Sequence, residues 1–321
     1  MAEAGPVRIG GTEGAPGPSP RPSSTNSDGL SEQASSWSDL RRTGPIGIFD
    51  SGLGGLTTIE AMEEVLGEEA LVYFGDTART PYGDKSTATI QKFSEEIVDF
   101  LLAKGAKAIL IACNTVSASA LPYLQERFPE VPFQGIISPT VDYLAEHLEE
   151  GATVHIISTR VTLNAKAYPQ ALQARRPDLS FQTLACPLFV PLVEEGYAHT
   201  PLSREVVRYC LQDFLPKDRP VHLVLACTHY PLLEADIRDL WPNVTIYNPS
   251  AIVVPALKEL LAAHHLLAPG LLSTGTAAQA EGLPPYTFYA SDLSETFLNM
   301  IRLFTDAHPG VFVEQRVLTD L

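Results

Sequence analysis

The sequence predicts an α/β protein with two pseudo-symmetric, doubly wound parallel-sheet domains and the active site in the cleft between them. Short apolar segments alternate with helical patterns along most of the chain, which is typical of parallel strands joined by helices. The segments are near-continuously apolar, as expected for strands covered on both faces. Two of them lead into a cysteine, at Cys113 and Cys227, and similar elements follow both cysteines. We therefore interpret the two halves as a remote repeat.

Composition divides the chain and limits its function. Residues 1–44 are rich in Gly, Pro and Ser and lack apolar periodicity, so we expect them to form a disordered tail. Residues 45–138 together with 250–321 are assigned to a first domain, and residues 139–249 to a second. With 45% hydrophobic residues, the 321-residue chain is long enough for two modest cores.

Charge and hydropathy argue against several classes of partner. The net charge of −16 disfavours non-specific binding to nucleic acid, which needs Lys and Arg to neutralise phosphates. No apolar run approaches the length of a membrane helix, and the N-terminus lacks the hydrophobic stretch of a signal peptide. Four cysteines without scaffold-like spacing fit a reducing compartment. We expect a cytoplasmic enzyme that acts on a small molecule, with neither membrane nor nucleic-acid partners.

The first strand, predicted over residues 45–50, leads directly into a glycine-rich turn. This turn is not a dinucleotide-binding fingerprint, because Thr57 stands where the third glycine of G-x-G-x-x-G would be, and no Walker lysine follows. We interpret it as a loop whose backbone approaches a small carboxylate or amine. The alternative is an ordinary tight turn, which would not require Asp50 and Ser51 at the end of the strand.

Strands and helices continue to alternate through the rest of the chain. Further strands are predicted at residues 70–74, 108–111, 133–137, 153–157, 223–225 and 244–247. Helices are predicted from Ser86, around residues 118–127, up to about Glu150, after Tyr230 and from about Ser250. Ligands of open α/β sheets bind outside the carboxyl ends of the strands. Both repeated cysteines follow such ends, so we expect them at a ligand site.

The two thiols are candidates for paired acid and base chemistry. A free thiol has a pKa of about 8.5, which a helix N-terminus or an imidazolium lowers, and His229 follows Cys227 closely. Thiols on opposite sides of a ligand suit stereoinversion, in which one takes a proton from carbon and the other supplies one to the opposite face. The alternatives are core packing, our interpretation of Cys186 and Cys210, and a metal site, for which the ligands are too few.

Six segments resemble, in the same order, motifs of the bacterial glutamate racemase family. They are Phe49-Asp50-Ser51-Gly52, Gly75-Asp76-Thr77-Ala78-Arg79, Pro81-Tyr82-Gly83, Cys113-Asn114-Thr115, the run from Cys186 to Gly196, and Cys227-Thr228-His229-Tyr230-Pro231. The resemblance runs from about Pro45 to Ala307. It implies a cofactor-independent racemase that interconverts L- and D-glutamate and supplies D-glutamate for peptidoglycan. It also implies a homodimer, the commonest closed assembly.

The resemblance also implies roles for individual residues. Cys113 would take the α-proton from D-glutamate and Cys227 from L-glutamate, each acting as the acid in the reverse direction. Asp50 and His229 would assist the thiols, and Glu195 would help near the second, although Glu195 could instead belong to a solvated helix face. Residues implied to hold the substrate are Asp50, Ser51, Tyr82, Gly83, Asn114, Thr115, Thr228 and His229.

Three other functions are compatible with parts of this pattern. A racemase of the same superfamily could act on aspartate, but His229 favours glutamate because aspartate-type members usually carry an acidic residue there. A catalytically idle binding protein would not need thiols at both Cys113 and Cys227. An enzyme dependent on pyridoxal phosphate would need a Schiff-base lysine and would absorb visible light. Ser138, Ser158 and Asn248 differ from the residues usual in the family.

Overall fold

The computed structural model describes residues 8–10, 44–268, 286–305 and 312–318. The expected disordered tail therefore falls largely outside the described residues. It is corrected at Arg8–Gly10, which form a short strand paired in parallel with the edge of a sheet. An open sheet edge offers backbone groups to any extended segment, whatever its side-chain composition. Within the described ranges, every helix is too short or too polar to cross a lipid bilayer.

The described residues form eleven strands and twelve α-helices. The strands are β1 (Arg8–Gly10), β2 (Ile46–Asp50), β3 (Leu71–Gly75), β4 (Ala108–Ile111), β5 (Phe133–Gly135), β6 (Thr153–Ser158), β7 (Ser180–Ala185), β8 (Val221–Ala226), β9 (Val244–Tyr247), β10 (Tyr286–Ala290) and β11 (Phe312–Gln315). The helices are α1 (Thr57–Leu66), α2 (Thr87–Ala103), α3 (Asn114–Ser119), α4 (Leu121–Arg127), α5 (Ile137–His147), α6 (Arg160–Ala165), α7 (Ala167–Arg175), α8 (Phe189–Glu194), α9 (Pro201–Leu211), α10 (Glu234–Leu240), α11 (Pro249–Ala263) and α12 (Glu295–Thr305).

The strands form two wholly parallel sheets, which confirms the predicted fold class. The first sheet has the order β1-β11-β10-β3-β2-β4-β5, and the second has the order β7-β6-β8-β9. Four strands of the first sheet, β3-β2-β4-β5, follow the same second-first-third-fourth order as the whole second sheet. The first sheet takes its strands from both ends of the described chain, whereas the second is continuous between Thr153 and Tyr247. The domain boundaries at residues 138 and 249 stay a prediction.

Burial on both faces of the first sheet explains the apolar runs in the sequence. Along β2, Ile46 and Ile48 face a core cluster that includes residues of both sheets, such as Leu225. Phe49 faces a second cluster, which also contains Ile111 and residues of α2. Because successive side chains of a strand point to opposite faces, a strand covered on both sides must be apolar throughout.

Two predicted elements differ from those in the structure. The helix expected around residues 118–127 is divided into α3 and α4, since Ala120 has a non-helical φ of −126° and Pro122 occupies the first turn of α4. The strand expected to reach residue 137 ends at Gly135. Its neighbour β4 ends at Ile111, the partner of Gly135, so no further residue has a strand to pair with.

Candidate active site between the two sheets

The candidate site lies where the strand order reverses in both sheets. Ser51 follows β2 and Cys113 comes just after β4, two neighbouring strands of the first sheet. Thr159 and Cys227 occupy the same positions after β6 and β8 of the second sheet. Ligands of open α/β sheets bind in the crevice at such a reversal. The shared strand order therefore brings the two cysteines to equivalent places in the two halves.

Residues from both halves line one pocket of about 270 Å³ of empty space, its mouth included. The lining residues are Ser51, Pro81, Tyr82, Gly83, Cys113, Asn114, Thr115, Thr159, Val190, Cys227, Thr228 and His229. Of the site residues predicted from the sequence, Asp50 and Glu195 are outside this lining.

Cys113 is a buried thiol beside a hydroxyl and close to a carboxylate. Its side chain is 4% exposed, and its sulfur lies 3.6 Å from Oγ of Ser51, to which the thiol donates. Burial, followed by the negative charge of Asp50, raises the pKa of Cys113 to about 12. The position before a helix does not offset these effects, contrary to the sequence expectation. Cys113 therefore keeps its proton at neutral pH.

Cys227 has an imidazole beside it. Its sulfur lies 3.9 Å from Nδ1 of His229, and Nε2 of the same ring lies 2.6 Å from a carboxylate oxygen of Glu194. Burial by itself lowers the pKa of His229, but the hydrogen bonds to Cys227 and Glu194 outweigh it and raise the pKa well above its usual value. An imidazolium next to sulfur favours the thiolate. The two thiols thus have opposite environments.

The structure assigns the contact expected of Glu195 to its neighbour Glu194. Glu194 is the last residue of α8, and its side chain is 18% exposed, whereas Glu195 follows the helix and is exposed. Successive residues of a helix point about 100° apart, so two adjacent glutamates do not face the same partner. The expectation that Glu195 lies near the second thiol is corrected accordingly.

Asp50 is fully buried and joins the two halves through Thr228. One carboxylate oxygen accepts hydrogen bonds from the N–H groups of Gly52 and Gly55, at 3.2 and 3.0 Å, and the other accepts one from the hydroxyl of Thr228 at 3.2 Å. Burial raises the pKa of Asp50, while the charge of His229 and these hydrogen bonds oppose the increase. Its charge acts on Cys113 through space.

The glycine turn gives room for the other half of the protein. A Cβ at Gly54 would lie 2.5 Å from Oγ1 of Thr228 and 2.6 Å from Nδ1 of His229. Any side chain at this position would therefore displace the segment that follows Cys227. The sequence interpretation, that the glycines allow backbone to approach a ligand, did not include this contact.

Tyr82 and Gly83 are adjacent residues of the pocket lining. The hydroxyl of Tyr82 donates to the buried carboxylate of Asp76, which also accepts from Nε of Arg79 at 2.7 Å. A Cβ at Gly83 would lie 2.8 Å from Cβ of Thr159, so Gly83 packs directly against the second half. The ring of Tyr82 is held by hydrogen bonding as well as by packing.

Thr159 and Tyr168, which sequence reasoning missed, contact the segment after Cys113. Thr115 has its hydroxyl oxygen 3.0 Å from that of Thr159, and Asn114 accepts a hydrogen bond of 2.7 Å from the phenol of Tyr168. Thr159 follows β6 as Ser51 follows β2, so aligning the two halves of the repeat would have identified it. Tyr168 lies in α7 and has no comparable local signal.

No group of three or more His, Cys, Asp or Glu side chains is arranged to hold a metal ion within the ranges that the structure describes. The groups gathered at the pocket are instead thiols, hydroxyls, an amide and the pair formed by His229 and Glu194. They supply hydrogen-bond donors for an anionic ligand and two groups able to exchange protons.

Comparisons with known proteins agree with this chemistry. The family model described as Asp/Glu/Hydantoin racemase matches residues 50–257. The glutamate racemase of Chlorobaculum parvum is 39% identical over 266 residues, which are 83% of this chain and 93% of that protein. That of Thermus thermophilus is 43% identical over 225 residues, or 70% and 82% of the two chains. The crystal structure of Francisella tularensis glutamate racemase in complex with D-glutamate matches with a TM-score of 0.74 and 34% identity, covering 86% of this chain and 98% of that one. The chain therefore belongs to the Asp/Glu/hydantoin racemase family.

Proposed function

We propose that this amino-acid racemase interconverts L- and D-glutamate by proton transfer between the α-carbon and two cysteines. The observation that carries the proposal is the convergence of Cys113 and Cys227 on one small pocket from equivalent strand ends. The names of relatives about 40% identical, and the D-glutamate complex of one solved relative, support glutamate as the substrate.

The environments of the two thiols suggest how protons are distributed before the reaction. Burial and the charge of Asp50 raise the pKa of Cys113, so this thiol holds its proton, whereas Cys227 has the imidazolium of His229 next to its sulfur. In this form the sulfur of Cys227 takes the proton from Cα, and the electron pair of the C–H bond moves into the adjacent carboxylate. The S–H of Cys113 then gives its proton to the opposite face of Cα. One proton leaves carbon and one arrives, so no oxidant or reductant is needed.

The direction of this first step follows the resemblance. Cys227 would take the proton from L-glutamate, and the reaction leaves Cys113 as the thiolate and Cys227 as the thiol. That arrangement is the one needed to start from D-glutamate. The pKa of Cys113 is raised to about 12, so its thiolate is a minor form at neutral pH.

Stabilising the carbanion is the most demanding part of the reaction. The hydroxyls of Ser51 and Thr115 and the side chains of Asn114 and Thr228 line the pocket, where donors can neutralise charge that develops on a carboxylate. Because these side chains are buried, such hydrogen bonds act more strongly than in solution. We therefore assign substrate binding to these residues together with Tyr82 and Gly83.

The family resemblance also implies where the product is used and how the enzyme assembles. The D-glutamate would be made in the cytoplasm and used for peptidoglycan synthesis. The enzyme would act as a homodimer, without metal or organic cofactor.

Racemisation of D-glutamate in heavy water, with no cofactor added, tests the proposed function. With two bases, the product L-glutamate carries deuterium at Cα from the first turnover, while unreacted D-glutamate keeps protium, because different groups remove and deliver the proton. A single base would return part of the original protium to the product. Conversion of aspartate but not glutamate by folded protein would contradict the assigned substrate.

A pair of adjacent substitutions tests the role assigned to Glu194. We expect Glu194→Gln to lower kcat/KM about tenfold, because a neutral partner no longer stabilises the imidazolium next to Cys227. The matched control is Glu195→Gln, whose side chain is exposed, and we expect it to stay within about twofold of wild type. Equal losses in the two variants, measured by the change in optical rotation, would contradict the assignment.

A further inference from the structure

One hydrogen bond beside the pocket joins the two halves and is not explained by packing alone. The phenol of Tyr168, in α7, donates to Oδ1 of Asn114 at a distance of 2.7 Å. Asn114 comes directly after Cys113, at the start of α3, and lines the pocket. The two side chains are 1% and 2% exposed. The bond therefore lies in the interior, away from competing water.

The NH₂ group of the same amide is available to a ligand. Nδ2 of Asn114 is buried and has no hydrogen-bond partner among the residues that the structure describes. A buried donor without a partner costs roughly 1 to 3 kcal/mol, so such atoms in native proteins call for an explanation. An acceptor brought by a substrate would satisfy this donor.

We propose that Tyr168 is a positioning residue, which holds the amide of Asn114 so that its NH₂ group faces the pocket and donates to a carboxylate of the substrate. The inference rests on the proposed function, because it takes glutamate as the ligand. Without the phenol, rotation by half a turn about the last bond of the asparagine side chain places Oδ1 towards the pocket. An acceptor there repels a carboxylate, whereas a donor binds it.

The state of Tyr168 is consistent with this role. Burial raises the pKa of its phenol, so the group remains a neutral O–H donor at neutral pH. Tyr168 belongs to the second half of the protein and Asn114 to the first. The amide is therefore oriented only while the two halves are in contact.

The test is the substitution Tyr168→Phe, which removes only the phenol oxygen. We expect Tyr168→Phe to raise KM for both enantiomers of glutamate about tenfold, equivalent to about 1.4 kcal/mol, and to change kcat by less than about threefold. Titration calorimetry with D-glutamate should show the same loss of affinity. The matched control is Tyr247→Phe, which also deletes a buried phenol, one that is 2.9 Å from Nδ1 of His222 and outside the pocket. Its KM should equal that of wild type.

A double-mutant cycle separates positioning from a merely structural effect. In an Asn114→Ala background, Tyr168→Phe should change KM by less than about twofold, because the amide that it positions is gone. The same loss in both backgrounds, or an unchanged KM in the single variant, would overturn the inference. If wild type bound D-glutamate without racemising it, the proposed function would be overturned, and the calorimetric comparison would then test Tyr168 separately.

Discussion

Replacing either pocket cysteine by serine is expected to lower kcat/KM for glutamate racemisation by about 10⁴-fold in both directions. General acid–base groups contribute about 10² to 10⁴ in rate, and we expect the upper end because Cys113 and Cys227 each act in both directions. Enantiomers have equal free energies in water, so kcat/KM must be the same for L- and D-glutamate in every variant. A loss in one direction alone would reveal an assay artefact.

The other two cysteines provide controls for this experiment. Cys186 is buried but is outside the pocket, and Cys210 is only partly buried in α9. We expect Cys210→Ser to leave kcat/KM within about twofold of wild type, since conservative changes away from a site have small effects. If Cys113→Ser or Cys227→Ser retained a tenth of the wild-type activity, that thiol would not be a proton-transfer group.

Heavy water distinguishes the two faces of the substrate in the same variants. With Cys113→Ser, Cys227 is still able to remove and return a proton on its own face, so we expect deuterium to enter L-glutamate without conversion to D-glutamate. Cys227→Ser should show the reverse, with deuterium in D-glutamate only. Deuterium in D-glutamate with Cys113→Ser, and in L-glutamate with Cys227→Ser, would mean that the two cysteines have the reverse roles.

Much of the fold was predictable because its cause is local. Strands such as β4 and β8 are covered on both faces, so their apolar runs are visible in sequence, and the polar residues that follow them mark the sheet edge at which Cys113 and Cys227 lie. The repeat was visible for the same reason. The prediction that each cysteine would lie beside a pocket depended only on these local signals and on the general behaviour of parallel sheets.

The remaining details depend on contacts that sequence does not specify. The choice between Glu194 and Glu195 depends on the rotation of the six-residue helix α8, which two adjacent identical residues cannot indicate. The raised pKa of Cys113 results from burial and from the charge of Asp50, which together outweigh any effect of the helix that follows. Tyr168 reaches Asn114 from a helix more than 50 residues away in sequence. These features arise from tertiary packing.

Replacing His229 by asparagine is expected to lower kcat/KM at neutral pH by about 10² to 10³-fold. Asparagine stays polar in the buried position but cannot carry the positive charge that stabilises the thiolate of Cys227. The loss should be smaller than that for the cysteines, because the proton-transfer group remains. It should exceed that of Glu194→Gln, because Glu194 acts through the imidazole. Steady-state rates measured with L- and D-glutamate would establish this order.

The pH dependence shows whether His229 acts through its charge. In wild type the pKa of His229 is raised, so the imidazolium next to the sulfur of Cys227 persists above the usual histidine pKa of about 6.5. In His229→Asn that positive charge is absent, so the acid limb of kcat/KM should move to higher pH. The variant should therefore recover part of its activity as the pH rises. A uniform loss, with the wild-type pH profile unchanged, would mean that His229 holds the substrate or the loop and does not set the charge of Cys227.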